Sequence, residues 1–350
     1  MHPREMVIFY RSSGHFSPIG ESWHLQVRGS VFSAAKGRFR NRVLVHLFRR
    51  VVKPEREIET RRRFLDRAHL FLQDTRRGKS VPIAIAERAF SLPDTLPNGH
   101  FETTLTVQES DLDATIQQDA FGRRFVQFCA HLPEEDERLF AGEIELICPE
   151  GISVISDVDD TIKVTNVGDR KELLANTFTR EFRSVDGMSD LYQRWAQAGI
   201  SFHYVSASPW PLYGPLVDWL DADGFPVGTM HLRHVRLRDL RGDKKKESSF
   251  RAKRTAIENL LRLYPNRQFV LLGDSGERDA ELYGGIARDF GRQVLHIGIR
   301  HCTHLDRGPG VSHVTSHLSH LERDRWTLFE HAEEIAAALP ELSEGNLASC

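Results

Sequence analysis

The stretch Ile152-Ser-Val-Ile-Ser-Asp157-Val-Asp159-Asp160-Thr161-Ile-Lys163 constrains this chain more than any other, because a β-branched strand runs straight into two carboxylates spaced two residues apart. In an extended segment successive side chains alternate faces. Asp157 and Asp159 therefore leave the C-terminal edge of the strand on the same side, with Val158 turned back toward a core. That pair suits phosphoryl transfer: one carboxylate attacks phosphorus while the other moves protons. A carboxylate nucleophile splits ester hydrolysis into two steps through an aspartyl-phosphate, and a divalent cation beside it offsets the repulsion between phosphate and carboxylates. The bland alternative is a surface turn whose aspartates are solvated or bind calcium.

With 350 residues, 40% of them hydrophobic, the chain is long enough for two domains with substantial cores. No apolar run approaches the ~20 residues that cross a bilayer. The opening Met-His-Pro-Arg-Glu-Met-Val-Ile-Phe-Tyr lacks the apolar region of a secretory signal, so the expectation is a soluble, cytoplasmic protein. Cys129, Cys148, Cys302 and Cys350 form no CxxC pair and are expected to be free thiols. A net charge of −2 leaves any attraction to nucleic acid or anionic lipid to local patches.

Two patterns divide the chain. Residues 1–149 carry short alternating segments, among them Trp23–Phe32, Val81–Ala86, His100–Val107, Arg124–Ala130 and Ala141–Ile147, and read as a β-sandwich-like domain. Leu92-Pro-Asp-Thr-Leu-Pro-Asn-Gly99 is turn material. Arg56–Arg67 interrupts them as an arginine-rich helix with opposite charges at i, i+4, either a solvated face or an anionic-membrane contact. Over 150–338 strands alternate with helices, which predicts a parallel sheet with crossover helices. The strands are Ile152–Ser156, Ile200–Ser206, Gln268–Gly273 and Gln293–Ile299, and Trp326–Ala338 reads as an amphipathic helix packed on that sheet. Residues 339–350 are expected to fray.

Ligands of open α/β sheets bind beyond the carboxyl ends of the strands, which selects the residues to weigh. After the first strand come Asp157, Asp159 and Thr161. Ser206, Ala207 and Ser208 follow the second, where hydroxyl and backbone N–H groups can hold phosphate oxygens beside a helix beginning near Pro209. Asp274 and Asp279 follow the third and complete an oxygen-rich magnesium shell with Asp157 and the backbone carbonyl of Asp159. Lys253, on the preceding helix, can neutralise phosphate charge. Each has a bland reading taken singly, but all four occur in order at strand ends.

These motifs resemble those of the haloacid dehalogenase (HAD) superfamily. More closely, Asp157-Val-Asp-Asp-Thr-Ile-Lys, Tyr204-Val-Ser-Ala-Ser-Pro-Trp-Pro-Leu-Tyr213 and Phe269-Val-Leu-Leu-Gly-Asp-Ser-Gly-Glu-Arg-Asp279 resemble the catalytic domain of the actin-patch type of magnesium-dependent phosphatidate phosphatase, over roughly residues 151–300. The resemblance implies an α/β, Rossmannoid HAD-like parallel sheet with helices on both faces. It implies Asp157 as nucleophile, Asp159 as general acid then base, Ser206 and Lys253 as phosphate holders, and Asp274 with Asp279 at Mg2+. The implied reaction cleaves phosphatidate to diacylglycerol and phosphate. Lys244, Lys245 and Lys246 compete with Lys253 for the lysine role, and Met230–Arg241 is longer and richer in arginine than the family pattern.

Only about 40 residues separate the first two motifs, too few for a large cap, so the site is expected to be open to a bulky substrate. The basic segment Arg233–Arg254 is read as either a contact with an anionic headgroup or membrane, or a solvated loop. His313 and His317 have the i, i+4 spacing of a zinc pair but lack the acidic general-base pattern that accompanies one. Two alternatives to a phosphatidate phosphatase remain: a phosphatase for another phosphomonoester, and a non-catalytic lipid- or phosphate-binding module. No nucleic-acid partner is expected, because the basic segments lack interleaved stacking aromatics.

Overall fold

A computed structural model describes residues 2, 4–33, 58–86, 88–234, 243–302 and 311–343, excepting the side chains of 243–246 and 343. The chain divides into two compact units. The first comprises Met1–Leu47, His69–Cys148 and Gly228–Met230; the second comprises Phe48–Ala68, Pro149–Val227 and His231–Cys350.

Among the described residues the first unit holds ten strands: β1 Glu5–Phe9, β2 Ser12–Ser17, β3 Ser22–Ser33, β4 Asp74–Thr75, β5 Ile83–Ile85, β6 Arg88–Phe90, β7 His100–Gln108, β8 Ile116–Gln118, β9 Arg124–Ala130 and β10 Ala141–Ile147. Their order is β1-β3-β2-β10-β9-β5-β6, with β4 and β7 branching from β3 and β8 from β9. The branching follows from length. β3 pairs with β2 through Ser22–Leu25 and with β1 through Gly29–Ser33, while β7 pairs with it from Ser22 to Ser30. Its period-2 apolar residues Trp23, Leu25, Val27 and Val31 join Phe9, Phe101, Phe128 and Leu146 in one core. The sequence reading missed β1 and β2. Ser-Ser-Gly-His-Phe-Ser carries too little apolar alternation to declare a strand, and β2 is formed by its tertiary pairing with β10 and β3.

Among the described residues the second unit is built on a six-stranded sheet, β11 Ile152–Ser156, β12 Ser201–Pro209, β13 Thr229–Arg233, β14 Gln268–Asp274, β15 Val294–Arg300 and β16 Trp326–Phe329, of which the first two residues of β13 are grouped with the first unit. The order is β13-β12-β11-β14-β15-β16. β11 pairs parallel with both β12 and β14, and β15 pairs parallel with β14 and β16. All five residues of β11 are buried, as a strand between two parallel neighbours requires. The strand order turns back between β11 and β14, so their carboxyl ends open onto the switch point where such sheets bind ligands.

Among the described residues the helices of this unit are α1 Ile58–Leu70, whose last two residues are grouped with the first unit, α2 Arg170–Phe178, α3 Met188–Gln197, α4 Tyr213–Ala222, α5 Asp243–Leu263, α6 Asp279–Asp289, α7 Val311–Leu318 and α8 Ala332–Ala338. No helix among the described residues is long and apolar enough to cross a membrane. Arg62 and Arg63 of α1 pair at i, i+4 with Asp66 and Glu59, as the charge spacing predicts. α2 was not foreseen; its start is defined by Asp169, whose carboxylate accepts from the backbone N–H groups of Lys171 and Glu172.

Three expectations are corrected. Trp326–Ala338 is not one helix: Trp326–Phe329 pairs with Ile297–Arg300 as an edge strand, and α8 starts only after a capping box between His331 and Glu334. The helix expected near Pro209 begins at Tyr213, after a 3-10 turn at Trp210–Leu212. Cys148 is disulfide-bonded, whereas Cys129 and Cys302 are free thiols, since through-space pairing leaves no mark on sequence spacing. In the stretch expected to fray, Leu339 and Leu342 are buried, the latter in a 3-10 turn at Pro340–Ser343.

Burial, reinforced by Asp274 and Asp160, pushes the Cys302 thiol up to about 12. Iodoacetamide at pH 8 is therefore expected to label half-buried Cys129 at least about tenfold faster than Cys302 in the native protein, read by peptide mass spectrometry. Equal rates would contradict the burial.

Candidate active site

The loop after β11 is organised by Asp160. This residue sits in the left-handed region, at φ 60°, a conformation Asp tolerates better than most side chains. Its carboxylate accepts from the backbone N–H groups of Thr165 at 2.8 Å, Asn166 at 2.7 Å and Val167 at 2.6 Å, closing the chain into a tight turn. The third acid of the motif is thus a scaffold residue, and it leaves Asp157 and Asp159 to face the switch point.

Asp157 is 1% exposed. Thr161 Oγ1 lies 3.4 Å from its Oδ2, and Lys253 Nζ stands 2.8 Å from its Oδ1 in an ion pair that lacks hydrogen-bond alignment. Lys253, also buried, donates to Glu277 at 2.7 Å and to Asp279 at 3.0 Å. Burial pushes the Asp157 carboxyl well above the usual carboxylate range; Lys253 opposes this, and Asp279, Glu277 and Asp159 reinforce it. For Lys253, burial works against the charge, yet the surrounding carboxylates outweigh it and hold the ammonium well above its usual value.

Asp159 has different surroundings. Its Oδ1 meets Lys163 Nζ at 2.7 Å and accepts from Thr165 Oγ1 at 2.8 Å, while its Oδ2 accepts from Ser206 at 3.0 Å and Ser208 at 2.9 Å. Burial alone would raise this carboxyl, but the Lys163 charge and these hydrogen bonds hold it well below the usual carboxylate range. Neighbouring carboxylates on one loop are thereby driven apart in acidity.

At the end of β14, Asp274 Oδ1 accepts from the backbone N–H groups of Gly276 and Glu277, whereas its Oδ2 is buried with no hydrogen-bond partner among the described residues. Burial, then Asp279, Glu277 and Asp157, push the Asp274 carboxyl well above its usual range, against the pull of Lys253. Carboxylate oxygens of Asp157, Asp274 and Asp279 lie within 4.8 Å of one another. Among the described residues, five carboxylates, counting Asp159 and Glu277, meet the two ammonium groups of Lys163 and Lys253. The unpartnered Asp274 oxygen, the surplus of negative charge and the all-oxygen donor set fit a hard divalent cation.

The structure thus gathers Asp157, Asp159, Thr161, Ser206, Ser208, Lys253, Asp274 and Asp279 at one end of the sheet. Ala207 is half-buried between the two serines and contributes no side-chain group. The side chains of Lys244, Lys245 and Lys246 lie outside the described residues, as does 235–242 within the long basic segment. Arg251 and Arg254 of that segment are engaged with Glu247, Glu258 and Asp289. His313 and His317 stack edge to face, and among the described residues no third ligand groups with them. The sequence reading missed Lys163, Thr165 and Glu277. Lys163 was printed in the motif itself, four residues after Asp159, but its side chain faces Asp159 only because Asp160 turns the loop.

Gly273, one residue before Asp274, leaves no room for a side chain: a Cβ there would lie 2.5 Å from Asp279 Oδ2 and 2.8 Å from the Tyr283 ring. Gly273→Ala is therefore expected to cost about 1–3 kcal/mol in urea unfolding by overpacking. A midpoint equal to that of the native protein would show that Asp279 yields freely.

Residues 152–301 match the family model described as the catalytic domain of phosphatidate phosphatase APP1. The resemblance carried by the motifs holds. Phosphatidate phosphatase APP1 of Saccharomyces cerevisiae is 37% identical over 175 residues, 49% of this chain and 28% of that protein. An uncharacterized protein of Schizosaccharomyces pombe is 33% identical over 172 residues, 47% of this chain and 27% of its own length. The matched region thus spans little more than a quarter of either relative. All the strand-end groups described above fall inside the APP1-like stretch. Among solved structures, a mutant PilB minor pilin from Streptococcus sanguinis aligns over 87% of this chain and 95% of its own, at 8% identity and a TM-score of 0.29, too low to bear on the fold.

Proposed function

We propose that the second unit is a magnesium-dependent phosphomonoesterase of the HAD type that hydrolyses phosphatidate to diacylglycerol and phosphate. The observation that carries this reading is the buried arrangement at the switch point: Asp157 beside Lys253, with Asp159 held on its far side by Lys163, Ser206 and Ser208. The strand order β13-β12-β11-β14-β15-β16 supports a Rossmannoid sheet of the 3-2-1-4-5-6 kind. The first unit, whose strands branch around one shared core, we read as β-sandwich-like.

In this reading Asp157 attacks phosphorus and displaces the diacylglycerol oxygen, which takes a proton from Asp159. A water then attacks the aspartyl-phosphate, Asp159 accepts its proton, and inorganic phosphate leaves with Asp157 regenerated. The ionised state of Asp159 suits the second half of this cycle. For the first half it must exchange a hydrogen bond from Ser206 or Ser208 for a proton, which frees those hydroxyls for phosphate oxygens. Lys253 offsets the phosphate charge. Magnesium, held by Asp157, Asp274 and the Asp159 carbonyl with Asp279 beside them, would supply charge neutralisation at the phosphoryl oxygens.

Phosphatidate is chosen as substrate because the yeast relative is a phosphatidate phosphatase by name. A peripheral contact with an anionic membrane follows from the substrate being a lipid; the ion-paired Arg251 and Arg254 lend it no support. The deciding experiment is phosphate release from phosphatidate in detergent mixed micelles, with magnesium and with chelator, beside sugar phosphates, nucleotides and phosphopeptides. Magnesium-dependent release from phosphatidate is the expected result. Release only from soluble esters moves the substrate within the same reaction class, and release from none leaves a binding module.

A further inference from the structure

We propose that Lys163 is a positioning residue for Asp159, and that it is braced through the Phe182 ring by Arg67 of α1, a helix outside the stretch that matches the known catalytic domain. The proposal rests on the reading of Asp159 as the proton-transfer group. Both oxygens of that carboxylate are held: Oδ2 by Ser206 and Ser208, Oδ1 by Lys163 and Thr165. When the serine hydroxyls turn to a phosphate, the Lys163 side alone keeps the carboxylate aimed.

Lys163 is 2% exposed, and its ammonium lies 5.0 Å from the centroid of Phe182. The segment bearing that ring is laced to the motif loop by backbone bonds, Val164 N–H to Arg183 C=O and Val185 N–H to Ile162 C=O, both 2.8 Å. The same ring carries a second cation, the Arg67 guanidinium, 3.8 Å from its centroid.

Arg67 is itself anchored. It is 9% exposed and donates to the carbonyls of Thr177 and Arg180 at 2.8 and 2.9 Å, while Arg63 donates to the Thr179 carbonyl at 3.1 Å and to Glu181 at 2.7 Å. These carbonyls are those the end of α2 and its following turn leave without helical partners. α1 therefore caps α2 and fixes Phe182, within the same compact unit as the site. A line of packed cations and one ring runs from α1 to Asp159.

The test measures kcat and KM for phosphatidate in the full chain. Lys163→Met is expected to lower kcat about 100-fold with KM within about threefold, because a misaimed proton-transfer group slows chemistry and leaves binding intact. Lys163→Arg should regain about tenfold. Arg67→Ala should lower kcat about tenfold, Arg67→Lys should recover most of that, and exposed Arg62→Ala on the same helix should behave as native. Because both act through Asp159, Lys163→Met combined with Arg67→Ala should be no slower than Lys163→Met alone. Native kcat in folded Arg67→Ala, or independent multiplication of the two losses, overturns the proposal. Crystal structures of Lys163→Met and Arg67→Ala give a readout that needs no turnover. An Asp159 carboxylate that keeps its native rotamer in both variants when soaked inorganic phosphate engages Ser206 and Ser208 overturns the positioning role even if phosphatidate is the wrong substrate.

Discussion

Asp157→Asn is expected to lower phosphate release at least about 1000-fold, some 4 kcal/mol of barrier. An amide of the same shape keeps the Thr161 contact, and the Asp157 N–H to Leu272 C=O bond is backbone and unaffected. Lys253 retains Asp279 and Glu277, so the cation is not stranded and the fold should survive. What is lost is the oxygen nucleophile, which an amide cannot replace. Acid-quenched native enzyme given 32P-labelled phosphatidate should carry hydroxylamine-labile label on protein, and Asp157→Asn should carry none. A variant that retains a tenth of native turnover would mean that water attacks phosphorus directly and that no aspartyl-phosphate lies on the path.

Asp274→Asn is expected to separate metal binding from folding. The native carboxylate is buried, with one oxygen bonded to two backbone N–H groups and the other unpartnered among Asp157, Asp279 and Glu277. An asparagine keeps the first set through its carbonyl oxygen and turns a donor toward the acids. Without metal the variant should therefore be more stable than native by about 1–2 kcal/mol, the like-charge and unpaired-oxygen costs being removed. Magnesium at about 100 times its dissociation constant should stabilise the native protein by about 2.7 kcal/mol and the variant hardly at all. Turnover should fall at least about 100-fold. Thermal melts with and without magnesium decide the matter: an undiminished magnesium shift in Asp274→Asn would remove Asp274 from the metal site.

The strand-end groups were legible because alternation and chain order are local properties. β11 reads as a strand from Ile152-Ser-Val-Ile-Ser, and once it is a strand Asp157 and Asp159 must emerge together at its edge. The same holds for Ser206, in the last part of β12, and Asp274, the last residue of β14, and the parallel registers bring those edges level. Partner choice was not legible. Asp159 and Asp157 look equivalent in the sequence, yet one faces Lys163 and three hydroxyls while the other faces Lys253 among further carboxylates, and these partners set their acidities apart although burial raises both. Asp160, to which the sequence assigned no role, is a turn anchor, a role that depends on its left-handed backbone.

The first unit shows the same division. β9 and β10 were read to the residue from apolar alternation, whereas β2, with two serines and a glycine, exists because β10 and β3 hold it on either side. β16 read as helix because Trp326-Thr-Leu-Phe329 is too short to separate the two periods, and the open edge of β15 decided it.

The sequence by itself determined the chemical inventory and the sheet edge on which it stands, because backbone alternation and the order of strands and helices are written residue by residue. Only the tertiary structure decided which charge meets which, and that α1, far upstream in the chain, braces the loop that carries Asp159. Such pairings depend on burial and on contacts across more than 100 residues, and a side chain's local neighbours in the sequence carry no record of either.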